Sequence, residues 1–518
     1  MTPNDKPSVR EARSKVKTME EIAAIAEAAR RRGCKVVLAH GVFDLVHMGH
    51  VRHLEAARRE GDLLIVTTTA DHLVNKGPGR PIFSQNLRAE MLAALEYVDW
   101  VGISRAPSAE AVLDVIKPDV YVKGADYENP EDDITGNIVK EREAVEKHGG
   151  RVVFTKDISF SSTELINKYL DVYDRPLRDY LDSRRNSGAA EKVMELIEAV
   201  KDYRVLLVGD AIIDEYQYVT AMAKAPKENM IATRSTDGEL FAGGVFAAAN
   251  HVANFCADVE IVTVLGEKES HEDFVRSKLQ SNVTLTPLYR GDAPTTRKCR
   301  FIDQGYMRKL FEVYYFDDSP AEGALEADIT RAIAKRAGDF DLVIATDFGH
   351  GMLTQRAIET LTEKSRFLAV NTQTNSANLG YNLITKYKKA DFVCIDAPEA
   401  QLATRDRFSE VEALVSEKLS NLIDCRKFII THGQQGCVTF EDGAGAIRIP
   451  AFTQTVVDTV GAGDAFLAVS APLAAAGGAM ELVGFVGNAA GAMKVSIVGH
   501  RRSIERIPLV RYITTLLK

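Results

Sequence analysis

The sequence predicts two successive α/β blocks, each built on a parallel, doubly wound sheet. Three observations carry this reading. Short Val/Ile/Leu-rich runs alternate with stretches of helical periodicity, the order expected when parallel strands are joined by crossover helices. The alternation breaks once, at the polar and charged stretch DVYDRPLRDYLDSRRNSGAAEK (171–192), which has no strand signal and reads as an inter-domain linker. A chain of 518 residues, 46% of them hydrophobic, is also long enough for two or three separate cores. The expected division is 1–172, a linker at 173–193, and 194–518.

In the first block the strands fall at 35–39, 63–67, 98–103, 119–123 and 151–155, with helices at 49–60, 84–96, 108–116 and 137–147. Arg30-Arg31-Arg32 closes a preceding helix and suits its negative end. Trp100 is expected in the core, and Glu131-Asp132-Asp133 in an exposed loop. The second block opens with RVLLVGD (204–210) and continues with strands at 259–264, 341–346, 367–371, 391–395 and 427–431.

Composition limits the partners. A net charge of -9 without a block of positive charge argues against nucleic acid and membrane surfaces, leaving small molecules. The opening MTPNDKPSVREARSK has no apolar signal-peptide core, and the best apolar run, Leu467–Met480, is too short to span a bilayer. A cytoplasmic protein is expected. The six cysteines are scattered without a C-x-x-C pair, so neither a disulfide frame nor a zinc site is suggested.

Two motifs carry chemistry. HGVFDLVHMGH (40–50) places His47, Gly49 and His50 where a buried strand turns into a helix. At that junction of a parallel sheet, unpaired N–H groups and the helix dipole favour anions. Two imidazoles there can donate to an α-phosphate while a nucleophile attacks, and the intervening glycine lets a nucleotide approach the backbone. The alternatives are two capping histidines or a zinc helix, which would need i,i+4 spacing and a third ligand. The second motif is VVDTVGAGDAF (456–466), in which Gly461-Ala462-Gly463 can form an anion nest at a helix start and Asp464 can accept a hydroxyl proton. No G-x-x-x-x-G-K-[ST] loop is present.

GVFDLVHMGHVRHLEAARREGDLLIV resembles the signature of the small nucleotidylyltransferase superfamily. The likeness continues through Lys76-Gly77, Arg80-Pro81, Arg88, ALEYVDWV (94–101), VKGADY (122–127) and Ser161-Ser162-Thr163, and is greatest for the adenylyltransferase half of bifunctional ADP-heptose synthases. It implies catalysis by His47 and His50. It implies nucleotide binding by Val42, Phe43, Gly49, Lys76, Arg88, Lys123, Gly124, Asp126, Tyr127, Ser161, Ser162 and Thr163, with Lys76 and Arg88 neutralising the triphosphate. His40 and Val42 depart from the family's usual Asn and Cys.

The second block is similar to the ribokinase-like sugar kinases: DTVGAGD matches their C-terminal signature and GDAIIDEY (209–216) their first strand. The resemblance implies Asp464 as base and Asp214, Gly243 and Gly244 as sugar-binding. It implies Thr431, Gly433, Gly436, Gly461, Ala462 and Gly463 on the nucleotide side and Glu399 as a Mg2+ ligand. Asp396 replaces the Asn of an N-x-x-E motif, NTQTN (371–375) replaces a D-P-K type segment, and VFAAAN (245–250) lacks an early Asn. Known ADP-heptose synthases place the kinase first; here the transferase leads.

Together the resemblances imply ATP and Mg2+ at both sites, sugar phosphates as substrates, and a homodimer through the kinase block. The kinase would convert a heptose 7-phosphate to the 1,7-bisphosphate. The transferase would use the 1-phosphate. The alternative left by the departures is a nucleotidylyltransferase, using ATP or CTP and a sugar or polyol phosphate, with a regulatory or dimerising kinase-like block that binds a sugar without turning it over.

Overall fold

The computed structural model describes residues 11–74, 76–77, 79–106, 108–124, 137–155, 173–225, 227–453 and 455–518. Asp126, Tyr127, Ser161, Ser162, Thr163 and the 131–133 acidic run lie outside the described residues. The chain divides into two compact units. One holds the described residues up to Arg175 together with Val510–Leu516 and Lys518; the other holds Pro176–Leu509 with Leu517.

In the first unit, six strands pair in parallel: β1 (Val16–Lys17), β2 (Val36–Gly41), β3 (Leu63–Thr69), β4 (Trp100–Ser104), β5 (Val120–Gly124) and β6 (Arg151–Thr155), in the order β1-β4-β3-β2-β5-β6. Successive strand residues face opposite sides, and both sides are covered, which is why these strands read as continuous apolar runs. Val37, Ala39, Leu64 and Val66 pack with Leu54 and Ala57 of the helix Met48–Arg59 and Leu92 of Gln85–Ala93. Val36, Leu38, Ile65 and Tyr121 pack on the other side with Ile22 and Ala26 of Met19–Arg31 and Leu113 of Ala109–Ile116. β2 is paired with β3 on one side and β5 on the other, so the strand order reverses beside it and opens a crevice at the carboxyl ends. The His47 turn leaves β2 there, and Lys123 and Gly124 end β5.

The segment expected as a linker is instead largely helical, over Arg175–Arg185 and Ala189–Ala199. Leu177, Leu181, Val193 and Ile197 are buried, Arg184 pairs with Glu481, and the Tyr180 ring lies 6.3 Å from that of Phe485. One apolar residue per helical turn among many charges is a narrow stripe, easily read as a polar connection. The unit boundary therefore falls at Arg175/Pro176. The kinase block likewise does not run unbroken to 518, because Val510–Leu516 belong with the first unit.

The second unit contains a nine-stranded sheet of β7 (Arg204–Gly209), β10 (Asp258–Lys268), β11 (Val283–Pro294), β14 (Leu342–Asp347), β15 (Leu368–Thr372), β16 (Phe392–Asp396), β17 (Lys427–Thr431), β18 (Cys437–Glu441) and β19 (Gly445–Ile449). The order is β11-β10-β7-β14-β15-β16-β17-β18-β19, parallel except for the antiparallel pairs β17/β18 and β18/β19. A separate four-stranded sheet, β13-β12-β8-β9, comprises β8 (Ala211–Lys224), β9 (Ile231–Gly244), β12 (Arg297–Asp303) and β13 (Arg308–Tyr315). Sequence periodicity missed this sheet because its strands mix charge with aromatics and β13 is mostly exposed. Lys298 lies opposite Asp214, and Arg300 opposite Tyr216, in the register of β12 and β8, so these four side chains share one face. Among the described residues no helix is long and apolar enough to cross a membrane.

Candidate active sites

In the first unit His47 is the N-cap of the helix Met48–Arg59. Its Nδ1 accepts from the Gly49 amide at 3.1 Å, and His50 Nδ1 accepts from the His47 amide at 3.4 Å, a reciprocal capping arrangement. The capping reading and the catalytic reading are thus compatible: an Nδ1 that accepts leaves the His47 proton on Nε2, the ring nitrogen not used by the cap. The two rings are 4.0 Å apart, and Phe43 packs edge-on to His50 at 5.3 Å. Phe43 has φ 49°, a left-handed conformation that bulky residues rarely adopt and that concentrates at functional sites. Burial lowers the pKa of His47 and drives His50 down to about 3, with His47, His53 and Lys76 adding to it, so both rings are neutral hydrogen-bonding groups near pH 7.

Around this pair the first unit gathers cations. Lys76 is pushed down to about 8, mainly by burial, with Arg80, Lys518 and Arg511 lowering it further and Asp44 opposing. Asp44 forms a buried ion pair with Arg80 at 3.0 Å and accepts from the Ile82 amide at 2.6 Å. Lys123 pairs with Glu141 at 2.7 Å, Gly124 has open space where a Cβ would stand, and the Val42 carbonyl accepts from Thr68 at 2.9 Å. His40 Nδ1 lies 2.9 Å from the Thr67 hydroxyl, and burial brings its ring down to about 3.

Arg88 requires a correction. It is fully buried, and its five N–H groups go to the carbonyls of Phe83, Val42 and Thr69, the Thr68 hydroxyl and Asp71. A guanidinium has five donors, so none remains for a phosphate. Arg88 locks the loop after β2 onto the end of β3 and so supports the His47 turn from behind.

In the second unit the Gly-rich loop opens the helix Ala462–Ala475. Gly461 has φ 77°, and a Cβ there would sit 2.4 Å from His500 Cε1. The Ala462 amide is used within the turn, donating to Thr459 at 3.2 Å, so the nest rests on the other amides of the first turn. Lys494, with no exposed surface, donates to Val460 and Gly499 carbonyls at 2.7 Å each and pins the loop. Asp464 is buried, and desolvation raises its pKa against the opposing pull of His500 and of Gln373, whose amide donates to Oδ1 at 2.9 Å.

Asp214 stands beside this group. Burial pushes its carboxyl up, but Arg300, which binds Oδ1, and His500 Nε2 at 3.3 Å hold it well below the usual range. A Cβ on Gly243 would come within 2.0 Å of Asp214 Oδ2, so only glycine lets the carboxylate lie there. Gly244, at φ 54°, starts the buried helix Val245–Val252.

Asp396 caps the helix Ala397–Thr404 in a reciprocal box with Glu399, whose other oxygen accepts from the Thr374 amide at 3.0 Å. Asp caps as Asn does, which accounts locally for the departure at this position. Burial, then Asp396, raises Glu399 to about 8. Thr431 is in register with Asp396 across β16 and β17, while Gly433 and Gly436, at φ 52° and 84°, turn the chain into β18. Gly436 is required by packing: a Cβ would meet the Ile449 carbonyl at 2.0 Å.

The structure thus brings Asp214, Gly243, Gly461 and Asp464 together around His500, and joins Asp464 to Glu399 through the consecutive residues Gln373 and Thr374. Sequence reasoning missed His500, Gln373, Lys494, Lys298 and Arg300. The spacing K-x-R on a strand was an available signal for the last two. Nothing local marked the others.

These folds and sites define an α/β protein of the carbohydrate-kinase type, preceded by a nucleotidylyltransferase-like unit. The model of the pfkB family of carbohydrate kinases matches residues 203–507, more than half of the chain, and the chain belongs to that family. A cytidylyltransferase-like model matches residues 38–168.

Among curated proteins, the chain is 38% identical over 165 residues to the Bifunctional protein HldE of Syntrophotalea carbinolica, covering 31% of this chain and 32% of that protein. To the Bifunctional protein HldE of Bradyrhizobium diazoefficiens it is 28% identical over 314 residues, covering 59% and 62%. Each match spans less than two thirds of the relative's length. Among solved structures, the ribokinase of Thermotoga maritima matches with a TM-score of 0.47 and 17% identity over 60% of this chain and 99% of that one.

Proposed function

We propose that the chain is a bifunctional enzyme: a sugar-phosphate kinase in its second unit and a sugar-1-phosphate nucleotidylyltransferase, using ATP, in its first. The observation that carries the kinase reading is the buried Asp464 at the Gly461–Gly463 helix start, held by Gln373. The NTQTN segment, which departs from the family pattern, supplies that very contact, so the departure does not strip the site. The substrate class is a heptose 7-phosphate phosphorylated at O1. The product of the pair of sites is an ADP-heptose, formed once another enzyme removes the C7 phosphate.

In the kinase, Asp464 takes the proton of the sugar hydroxyl as its oxygen attacks the γ-phosphorus of ATP. The first-turn amides steady the transferring group, and ADP leaves. In the transferase, an oxygen of the sugar 1-phosphate attacks the α-phosphorus of ATP and pyrophosphate leaves. The neutral rings of His47 and His50 donate to the α-phosphate oxygens as charge builds there, and Lys76 faces the departing phosphates. Mg2+ would neutralise phosphate charge. The half-buried Asp396 and the buried Glu399, two carboxylates whose mutual repulsion a cation would relieve, fit such an ion held largely by phosphate and water. ATP as the common substrate points to the cytoplasm. The exposed Phe311, Val313 and Tyr315 alternate along one face of β13 and support a homodimer through the kinase unit.

The test separates the two chemistries. His50→Ala should lower nucleotidyl transfer by roughly a hundredfold or more and leave sugar phosphorylation intact. Asp464→Asn should lower phosphorylation by orders of magnitude with ATP binding and nucleotidyl transfer retained. Joint loss of both activities in either variant would contradict independent sites.

A further inference from the structure

Two buried side chains of the second unit, Lys298 and His350, take no part in the interactions described above. Lys298, 6% exposed, projects from β12 on the face that carries Asp214 and Arg300. Among the described residues no hydrogen bond or ion pair engages its ammonium; its near neighbours are the Tyr314 and Phe348 rings, at 5.4 and 5.7 Å. His350, also 6% exposed, follows β14, and both its ring nitrogens are buried with no hydrogen-bond partner. Its ring packs edge-on to Phe316 at 5.5 Å, and its backbone amide reaches Asp210 at 3.3 Å. The Tyr314 ring beside Lys298 packs on Phe316 at 5.8 Å, and Phe316 packs on His350, so one aromatic cluster brings the two side chains to a common space. A buried ammonium and a buried imidazole left unsatisfied are costly unless a ligand completes them.

The neighbours decide what that ligand is. Arg300 is already committed to Asp214 and Glu312, and Lys386 to Asp347 at 2.6 Å, while Asp210 accepts from the Phe348 and His350 amides. Lys298 is the cation left over. Asp214 lies opposite Lys298 in the register of β8 and β12 and 3.3 Å from His500, which packs against Gly461 of the loop that carries Asp464, so it links the base to the Lys298 space. A sugar whose hydroxyls bind Asp214 therefore has one end at Asp464 and the other at Lys298 and His350.

We propose that Lys298 and His350 form the anchoring subsite for the phosphate that the sugar substrate already carries, the feature that makes this kinase select a sugar phosphate over the free sugar. The inference rests on the kinase reading above. A phosphate dianion would accept from the ammonium and from the one N–H of a neutral imidazole, satisfying both groups at once. The ring walls of Phe348, Tyr314 and Phe316 exclude water there and strengthen the attraction.

The test uses the full chain with Lys298→Met, Lys298→Arg and His350→Ala, comparing heptose 7-phosphate with the same heptose lacking the phosphate. Lys298→Met should raise KM for the sugar phosphate by roughly ten- to a hundredfold, the range of a charge-assisted bond, and leave KM for ATP and kcat/KM for the free sugar unchanged. Lys298→Arg should recover part of the loss, and His350→Ala should show a smaller one of the same selectivity. Equal loss for both sugars would overturn the proposal, because Lys298 would then only support the pocket. Calorimetry with inorganic phosphate and with heptose 7-phosphate distinguishes this from failure of the kinase reading. Binding abolished by Lys298→Met in a chain that turns over neither sugar keeps the subsite and removes the activity. Failure of the parent chain to bind either phosphate compound removes the subsite.

Discussion

Gln373→Leu tests how the kinase base is tuned. Asp464 is buried, which raises its pKa, and the Gln373 amide at 2.9 Å is one of the groups holding it down. A hydrogen bond to a charged acceptor contributes about 1.5–3 kcal/mol. One pH unit corresponds to about 1.4 kcal/mol, so losing this bond should move the acidic limb of kcat/KM upward by about one to two pH units. Leucine has nearly the volume of glutamine, and Gln373 sits at the end of β15 where the backbone is set by Asn371 and Asp347. Initial rates of ADP formation across about pH 5.5–9, at saturating ATP, read the effect directly. Above the limb the variant should approach the parent rate, because Asp464 is still the base. A profile that superimposes on the parent, or one lowered equally at every pH, would refute the reasoning: the first means no tuning, the second lost packing.

Lys76 is charged below and neutral above a pKa near 8, so KM for ATP in nucleotidyl transfer should rise as pH goes from about 7 to about 9. Lys76→Arg should flatten that rise. Arg88→Met should cost about 1–3 kcal/mol of stability in the first unit for each buried acceptor left unsatisfied, read as an earlier urea midpoint, because groups such as the buried Thr68 hydroxyl lose their donor. Unchanged stability with weakened ATP binding would instead make Arg88 a phosphate ligand. Phe311→Asp together with Tyr315→Asp should convert a dimer to a monomer in light scattering; an unaltered mass would place any interface elsewhere.

Much was legible in the sequence because it is local. Strands such as Val36–Gly41, Leu63–Thr69 and Lys427–Thr431 lie within a few residues of the runs that foretold them, since a strand covered on both faces must be apolar throughout. The two phosphate-handling motifs were legible for a related reason. A turn and the first turn of one helix hold His47 and His50, and another holds Gly461, Gly463 and Asp464, so each motif is contiguous in the chain. What the sequence alone determined is thus the α/β architecture, the two candidate centres and the residues that form their turns. Tertiary structure decided everything carried by distant partners. Gln373 and Asp464 are 91 positions apart, and Arg88 reaches Val42 across 46. His500, Lys494 and Lys298 meet the site through sheet order and helix packing rather than spacing. It also decided that 175–199 folds into helices on a narrow apolar stripe and that Val510–Leu516 belong with the first unit. Burial and pairing exist only once the chain has closed, and they separate a basic residue free for a phosphate from one whose donors are all spent.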